Sequence, residues 1–388
     1  MQPNRRVSGL TGSATLALAA RAKALAAQGV DVISMAVGEP DFDAPRVVQQ
    51  AAMAAVEGGN VRYTPPAGLP ALRDTIATHL SETRGVEFAR DEVVVCHSGK
   101  HALSHALLTL LEPGDEVLTL APAWSSYLEE VRFAGGVPVD VPPRADMGPD
   151  MDAIRAALGP RTRGVMLNSP ANPSGYVWSA QEIADLGELA CERDLWLLSD
   201  EIYRRLVYEG EPNPSPVSVS PEVRARTLIV DGASKAYAMT GYRIGYLAAP
   251  AALIDGVARL QSQLTGSPNA ISQAAFQAAL EEEPPEVEKM VREFDTRRRV
   301  LLEGLADLGL ETPWPRGAFY AFPSVAEHVD ERGAVGLCED LLEDVGLALV
   351  PGTVFGMDGH VRLSYATSID NVRRALERLG DFLSRRRG

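Results

Sequence analysis

The stretch Asp231-Gly232-Ala233-Ser234-Lys235-Ala236-Tyr237-Ala238-Met239-Thr240-Gly241-Tyr242-Arg243-Ile244-Gly245-Tyr246 joins two apolar runs, 227–230 and 244–248, that read as buried strands. One lysine stands in it among small residues and glycines. Burying an amine strips its hydration and lowers its pKa, which makes it a nucleophile towards carbonyl groups. Arg243 stays charged and suits a phosphate. A Schiff-base lysine with a serine and an arginine beside it for a phosphate points to pyridoxal phosphate. The competing reading is a turn whose lysine is solvated at the tip, and the rest of the chain has to decide between them.

Working outward, strand-like runs fall at 93–96, 116–120, 137–141, 164–167, 195–199 and 227–230. Helical patterns at about 100–111, 125–133, 150–158 and 180–193 separate most of them. This alternation predicts an α/β fold whose large domain has three layers, a mainly parallel sheet with helices on both faces. Ligands of such sheets bind beyond the carboxyl ends of the strands. Upstream, Ser13 suits the N-cap of a helix running to about Gln28, with Gly29 as its stop. A short strand at 32–35 then leads to the turn Gly38-Glu39-Pro40-Asp41-Phe42, and helices follow at about 45–57 and 70–84. Between these helices the prolines of Tyr63-Thr64-Pro65-Pro66 either present Tyr63 outward, towards a second subunit, or pack it on its own domain. Downstream, 208–225 is polar and proline-rich and reads as a surface loop. Helices at about 251–265 and 269–282 precede Pro284-Pro285 and a charged helix to about 308. Strand 319–322, helix 334–344, strands 347–350 and 361–364 and helix 370–386 complete a smaller α+β part. The expected domains are a large one over 45–284 and a small one combining 1–44 with 285–388.

The 388 residues carry a formal net charge of −15, which argues against broad nucleic-acid binding while leaving room for local anion sites. Cys96, Cys191 and Cys338 are far apart and in no ligand spacing, so they read as buried free thiols of a reducing compartment, the cytoplasm, and no metal site is expected. Arg5-Arg6 before an alanine-rich run loosely mimics a secretory signal, but Arg21 and Lys23 interrupt it. No run is long enough to span a membrane.

The strand ends carry the candidate chemistry. Cys96-His97-Ser98-Gly99-Lys100 opens a helix, where the Ser98 hydroxyl and the Gly99 backbone serve either an anion or a plain N-cap; His97 and His101 read as packing or surface residues. Trp124 either stacks on a flat ring or fills the core. Asn168-Ser169-Pro170-Ala171-Asn172-Pro173 is a stiff loop that aims the Asn172 amide at a ring oxygen or a carboxylate. Asp200 follows an apolar run and needs a partner, such as a protonated pyridine nitrogen, with Tyr203 near the phenolic side of the same ring. Arg362, in the apolar strand Val361-Arg362-Leu363-Ser364, either captures a carboxylate in bidentate fashion or faces water from an edge.

Taken together, these residues resemble the fold-type I pyridoxal-phosphate aminotransferases of class I, and within them the bacterial aspartate aminotransferase subgroup. The resemblance runs from about residue 5 to residue 383. Its segments are Gly-Glu-Pro-Asp-Phe at Gly38, Tyr-Thr-Pro-Pro-Ala-Gly at Tyr63, Gly-Asp-Glu-Val at Gly114 and Asn-Ser-Pro-Ala-Asn-Pro-Ser-Gly at Asn168. Ser-Asp-Glu-Ile-Tyr at Ser199, Ser-Lys followed by Gly-Tyr-Arg-Ile-Gly-Tyr from Ser234, Gly-Ala-Phe-Tyr at Gly317 and Arg-Leu-Ser-Tyr-Ala at Arg362 complete the set. It implies that Lys235 bonds the cofactor and moves the substrate proton. It implies that Asp200 keeps the pyridine nitrogen protonated, that Tyr203 and Asn172 bond the phenolic oxygen and that Trp124 stacks on the ring. Ser98, Gly99, Ser234 and Arg243 would hold the phosphate, and Lys100 of the same loop would be a further cofactor-binding residue. Arg362, with Asn172 and the Gly38 backbone, would fix the α-carboxylate. Tyr63 would reach the phosphate of a neighbouring subunit, so a homodimer is implied.

Three departures bear on substrate: the loop His97-Ser98-Gly99-Lys100-His101, Ala123 before Trp124, and Gly232 where some relatives carry serine. Lys100 and the 13–15 stretch lie where this subgroup meets the substrate side chain. Lys100 either pairs with a distal carboxylate or is a solvated helix-start lysine. The expected reaction moves an amino group between an L-amino acid, aspartate or glutamate, and a 2-oxo acid such as 2-oxoglutarate. The alternatives are an aromatic, prephenate or neutral amino acid aminotransferase, a β-eliminating lyase on the same scaffold, or a cofactor-binding regulator.

Overall fold

A computed structural model describes residues 1–388 apart from Ser13, Glu211 and Gly388. Its first strand, β1 (Ile33–Ser34), is short. Seven strands then follow, β2 (Val93–Cys96), β3 (Glu116–Leu120), β4 (Val137–Val141), β5 (Thr162–Asn168), β6 (Trp196–Asp200), β7 (Thr227–Gly232) and β8 (Gly245–Ala248). They build one sheet in the order β2-β8-β7-β6-β5-β3-β4. Neighbours are parallel except around β8, which runs antiparallel to both β7 and β2.

Alternation within the strands explains the layers, because successive side chains point to opposite faces. Val93, Val95, Ile229 and Tyr246 pack with Leu72, Ile76 and Phe276 on one face. Val94, Cys96, Leu228, Val230 and Leu247 pack with Leu103, Ala106 and Val257 on the other. Both faces are therefore buried, as a mainly parallel sheet requires.

A second group of elements packs around β9 (Tyr320–Ala321), β10 (Leu347–Ala348), β11 (Val350–Pro351) and β12 (Val361–Ser364). β11, β12 and β9 form an antiparallel sheet, and β1 pairs in parallel with β10, Ile33 opposite Leu347. Helices Glu286–Asp307 and Ile369–Arg387 cover this group, with Phe294, Leu301, Leu305, Val372 and Leu379 in its core. The N-terminal strand is thereby built into the C-terminal part of the chain.

The differences from expectation have local causes. The expected strand over 347–350 is two, divided at Leu349. The 208–225 segment is not a plain surface loop: it turns through Pro216–Ser218 and Pro221–Arg224 and buries Ser215, Val217 and Val223. Its prolines and serines give a polar reading because the buried run Ser215-Pro216-Val217 is short and holds one aliphatic side chain. The N-terminal helix is Ala14–Ala27, so the expected cap Ser13 lies outside the described residues, and a short helix Arg5–Ser8 precedes it. Cys96 and Cys338 are buried, whereas Cys191 is only half-buried. Among the described residues no helix is long and apolar enough to cross a membrane, and no group of histidine, cysteine or acidic side chains is placed to hold a metal.

Candidate active site

The carboxyl ends of β2, β5, β6 and β7 open into one cleft of ≈ 390 Å³, within the range of about 300–1,000 Å³ usual for small-molecule sites. Gly38, Ser98, Gly99, Lys100, Trp124, Asn172, Asp200, Tyr203, Ser234, Lys235, Arg243 and Arg362 all line it. Thirteen site residues are expected from the sequence, and the cleft gathers these twelve. Tyr63 is the exception: it is fully exposed and sits with Val61, Ser267 and Pro268 on a separate surface.

Lys235 is carried by a one-turn helix, Ala233–Ala236, not by the tip of a turn. Its Nζ donates to the Gly38 carbonyl at 2.6 Å. Burial lowers its pKa to about 8, with Glu39 opposing the shift and Arg362 and Arg243 assisting it. A neutral amine is thus accessible near physiological pH, as a nucleophile or base requires. Gly38 is dictated by packing, since a Cβ there would collide with the Tyr320 hydroxyl. Glu39 is tied to the Thr240 hydroxyl, so the turn is fastened to the lysine segment on both sides.

Asp200 ends β6, directly opposite Asn168 of β5. One carboxylate oxygen accepts the Tyr127 hydroxyl at 2.6 Å and the other accepts the Ile202 N–H at 3.1 Å. Burial still raises its pKa to about 6, and Lys235 is too weak an opposing charge to prevent this. A cation delivered to this carboxylate would restore its ionised form. Trp124 meets Tyr127 edge to face at 5.5 Å and forms a wall of the cleft.

Arg362 is 3 % exposed, so it faces inward and not water. It donates to the Asn172 side-chain oxygen at 2.9 Å and to the Ala36 carbonyl at 2.7 Å, and its Nε is buried without a partner. Asn168 accepts the Asn172 N–H at 2.9 Å and donates to the Asp200 carbonyl at 2.9 Å, which locks the loop that presents Asn172. Tyr203 hydrogen-bonds the Tyr320 hydroxyl at 2.8 Å, and the Arg362 guanidinium lies 4.4 Å from the Tyr320 ring centre.

At the opposite end Ser98 caps helix Gly99–Leu110, accepting from the His101 N–H at 3.2 Å, which leaves its hydroxyl proton to donate. Arg243 sits at a positive φ of 53° with one guanidinium nitrogen on the Thr240 carbonyl at 2.7 Å. A Cβ on Gly245 would fall 2.5 Å from the Gly99 N, so bare backbone is required where β8 passes the loop. Lys100 donates to the Ser126 hydroxyl at 2.9 Å and lies 4.5 Å from the Trp124 ring centre. His97 and His101 pack edge to face at 5.0 Å, as side chains of a packed helix start.

This donor set fits pyridoxal phosphate: a buried amine, a buried acid at the far wall, a hydroxyl-and-guanidinium end for a phosphate, and an arginine with an orphaned nitrogen. Tyr127 and the Glu39–Thr240 contact escape sequence reading, while Asn168 and Tyr320 enter it only as members of motifs, without the contacts they make here.

Comparison with known proteins agrees. Residues 30–379 match the family model described as aminotransferase class I and II. The chain is 46 % identical over 387 residues to an aspartate/prephenate aminotransferase of Thermus thermophilus, covering 98 % of this chain and 99 % of that one. It is 41 % identical over 392 residues to an aspartate aminotransferase of Geobacillus stearothermophilus, covering both chains fully. The solved aspartate aminotransferase of Thermus thermophilus with maleate superposes with a TM-score of 0.94 at 44 % identity, covering 98 % of this chain and 99 % of that one. With this site at the carboxyl edge of this sheet, the chain belongs to the class I and II aminotransferase family, as a pyridoxal-phosphate-dependent enzyme of fold type I.

Proposed function

We propose that the enzyme transaminates dicarboxylic amino acids, L-aspartate and L-glutamate, with a 2-oxo acid such as 2-oxoglutarate as acceptor. The observation that carries this reading is a pair of cations in one cleft. Arg362 and Lys100 both line it, and neither forms an ion pair with a described residue. A substrate with two carboxylates supplies both counter-charges. The relatives named for aspartate support it.

In this reading Arg362 takes the α-carboxylate as a bidentate pair, with the Asn172 amide and the Gly38 backbone beside it. Lys100 takes the distal carboxylate. Bound pyridoxal phosphate supplies an electron sink for the pair released when the substrate Cα–H bond breaks. Lys235, as a free amine, takes that proton and returns it. Asp200 accepts a hydrogen bond from the ring nitrogen, Tyr203 and Asn172 bond the phenolic oxygen, and Trp124 covers the ring. Ser98, Gly99, Ser234 and Arg243 hold the phosphate. Full exposure of Tyr63 supports a homodimer in which it reaches the neighbouring copy's phosphate. The pairing of β1 with β10 supports a small domain of 1–44 and 285–388 beside a large one of 45–284. Three free thiols support a cytoplasmic enzyme.

A second reading, prephenate as amino acceptor, is favoured by the name of the Thermus thermophilus relative and by the apolar wall of Leu16, Ala19 and Trp124. The test mixes holoenzyme with L-aspartate, L-glutamate, L-phenylalanine or L-alanine and follows the cofactor's visible spectrum, with Lys235→Ala as control. Fast conversion by the two acids alone supports the proposal. Equal or faster conversion by phenylalanine or alanine overturns the role given to Lys100.

A further inference from the structure

Helices Gly99–Leu110 and Ser126–Ala134 run side by side along one wall of the cleft. Two polar rungs join them. Lys100 donates to the Ser126 hydroxyl at 2.9 Å, and one turn further along both helices Ser104 donates to Glu130 Oε2 at 3.0 Å. Each rung advances four residues, so Lys100 and Glu130 sit diagonally across adjacent turns. Glu130 forms no ion pair with a described residue, and Lys100 is the cation that acts on it. The cleft's ammonium therefore has an acid of this chain on the adjacent rung, outside the residues that line the cleft.

We propose that Glu130 is a positioning residue for Lys100: it shares that ammonium while the cleft holds no dicarboxylate, and takes up a solvent proton when a dicarboxylate claims it. This rests on the reading that Lys100 binds the distal carboxylate. The charged and titratable groups facing Glu130 are Lys100 from helix Gly99–Leu110, Asp200 from the end of β6, and Tyr127 from its own helix. Burial raises the Glu130 pKa to about 7, the Ser104 hydroxyl and Lys100 pull it down, and Asp200 pushes it up. A ligand carboxylate on Lys100 removes the main opposing cation and adds a negative charge nearby. The pKa then moves further up, so protonation accompanies binding. By linkage, capture of a distal carboxylate strengthens as pH falls through about 7. A monocarboxylate engages only Arg362 and leaves Glu130 unchanged.

The test measures kcat/KM of the holoenzyme for L-aspartate and for L-alanine across pH, and follows their ratio. The cofactor, the α-carboxylate and the amine are common to both substrates and cancel. The wild-type ratio should fall about fivefold between about pH 6 and about pH 8 if binding raises the Glu130 pKa by about one unit. In Glu130→Gln, which keeps an acceptor for Ser104, the ratio should be flat. A flat wild-type ratio, or an unchanged slope in Glu130→Gln, overturns the proposal. Should Glu130→Gln fail to fold, Ser104→Ala serves: loss of the hydroxyl should move the midpoint of the slope to higher pH, and an unmoved midpoint overturns it. Lys100→Ala separates the two readings. A ratio that it leaves unchanged sinks the Lys100 role and this inference with it. A ratio lowered by Lys100→Ala but flat with pH in the wild type sinks only the role of Glu130.

Discussion

Two buried arginines, one closing helix Pro70–Arg84 and one on β12, have opposite surroundings. The Arg84 side chain is 1 % exposed and meets Glu201 at 2.6 Å, with Asp231 at 3.6 Å. Arg362 is as deeply buried and, among the described residues, has only neutral oxygens as partners, those of Asn172 and Ala36. A guanidinium whose counter-charge is internal is structural, whereas one that lacks it waits for an anion from outside. The same contrast repeats between neighbours in sequence. Burial alone would raise the pKa of Glu201, but Arg84 and Arg204 bring it below the usual value, and the hydroxyls of Ser199 and Ser215 complete its shell. Asp200, one residue earlier, has hydrogen bonds but no arginine, and its pKa rises to about 6. One side of the strand end is finished by the protein and the other is finished by ligands.

Removing Arg84 should give the largest effect. Arg84→Ala leaves buried Glu201 with only the more distant Arg204, at 3.7 Å, as counter-charge, a defect towards the lower end of the about 3–5 kcal/mol of a broken buried pair. The expected result is a lower denaturation midpoint by calorimetry, with kcat of the folded fraction within about twofold of wild type. The double variant Arg84→Met/Glu201→Leu removes both charges and should recover most of the loss. A double variant as unstable as the single one would mean that the pair is not the source of the defect.

Arg362→Ala is the converse. Loss of one partner of a buried charge-assisted pair costs about 2–5 kcal/mol of binding, which is roughly 30- to several-thousand-fold in kcat/KM. The loss should appear with L-alanine as well as L-aspartate, because both carry the α-carboxylate. Stability should change by about 1 kcal/mol or less, since an unpaired buried charge is removed together with two hydrogen bonds. A fall in stability matching that of Arg84→Ala would erase the distinction between the two arginines.

That distinction was only half legible in the sequence. Lys235, Asp200 and Asn172 follow apolar runs, and a parallel sheet delivers its strand ends to one edge, so their convergence could be read from order alone, whereas Arg362 reaches the cleft from the separate antiparallel sheet. Arg84 read only as the last residue of a helix, because its partner lies 117 positions away. Ser215 was hidden in a segment taken for surface loop, although its hydroxyl completes the shell of Glu201. Tyr320 was legible as part of a motif, but its contact with the Gly38 turn depends on the antiparallel pairing of β9 with β12. Short-range pattern identifies groups that need a partner. Which of them find one inside the protein is settled by long-range packing.

Tyr127 tests the ligand-finished side most gently. Its hydroxyl is the shortest contact of Asp200 and lowers that carboxyl's pKa against the effect of burial. Tyr127→Phe removes the donor without opening a cavity. A hydrogen bond to a charged group is worth about 1.5–3 kcal/mol, so cofactor affinity should weaken roughly 10- to 100-fold, read by titrating apoenzyme with pyridoxal phosphate. The sign of the pH effect follows from the same bond. Asp200 must be ionised to hold a protonated ring nitrogen, and losing the donor moves its pKa upward from about 6. Affinity should therefore begin to fall at a higher pH in the variant than in wild type as the solution is acidified. If the acidic limb stays where it was, Asp200 owes its ionisation to the cofactor alone, and Tyr127 only steadies the Trp124 wall.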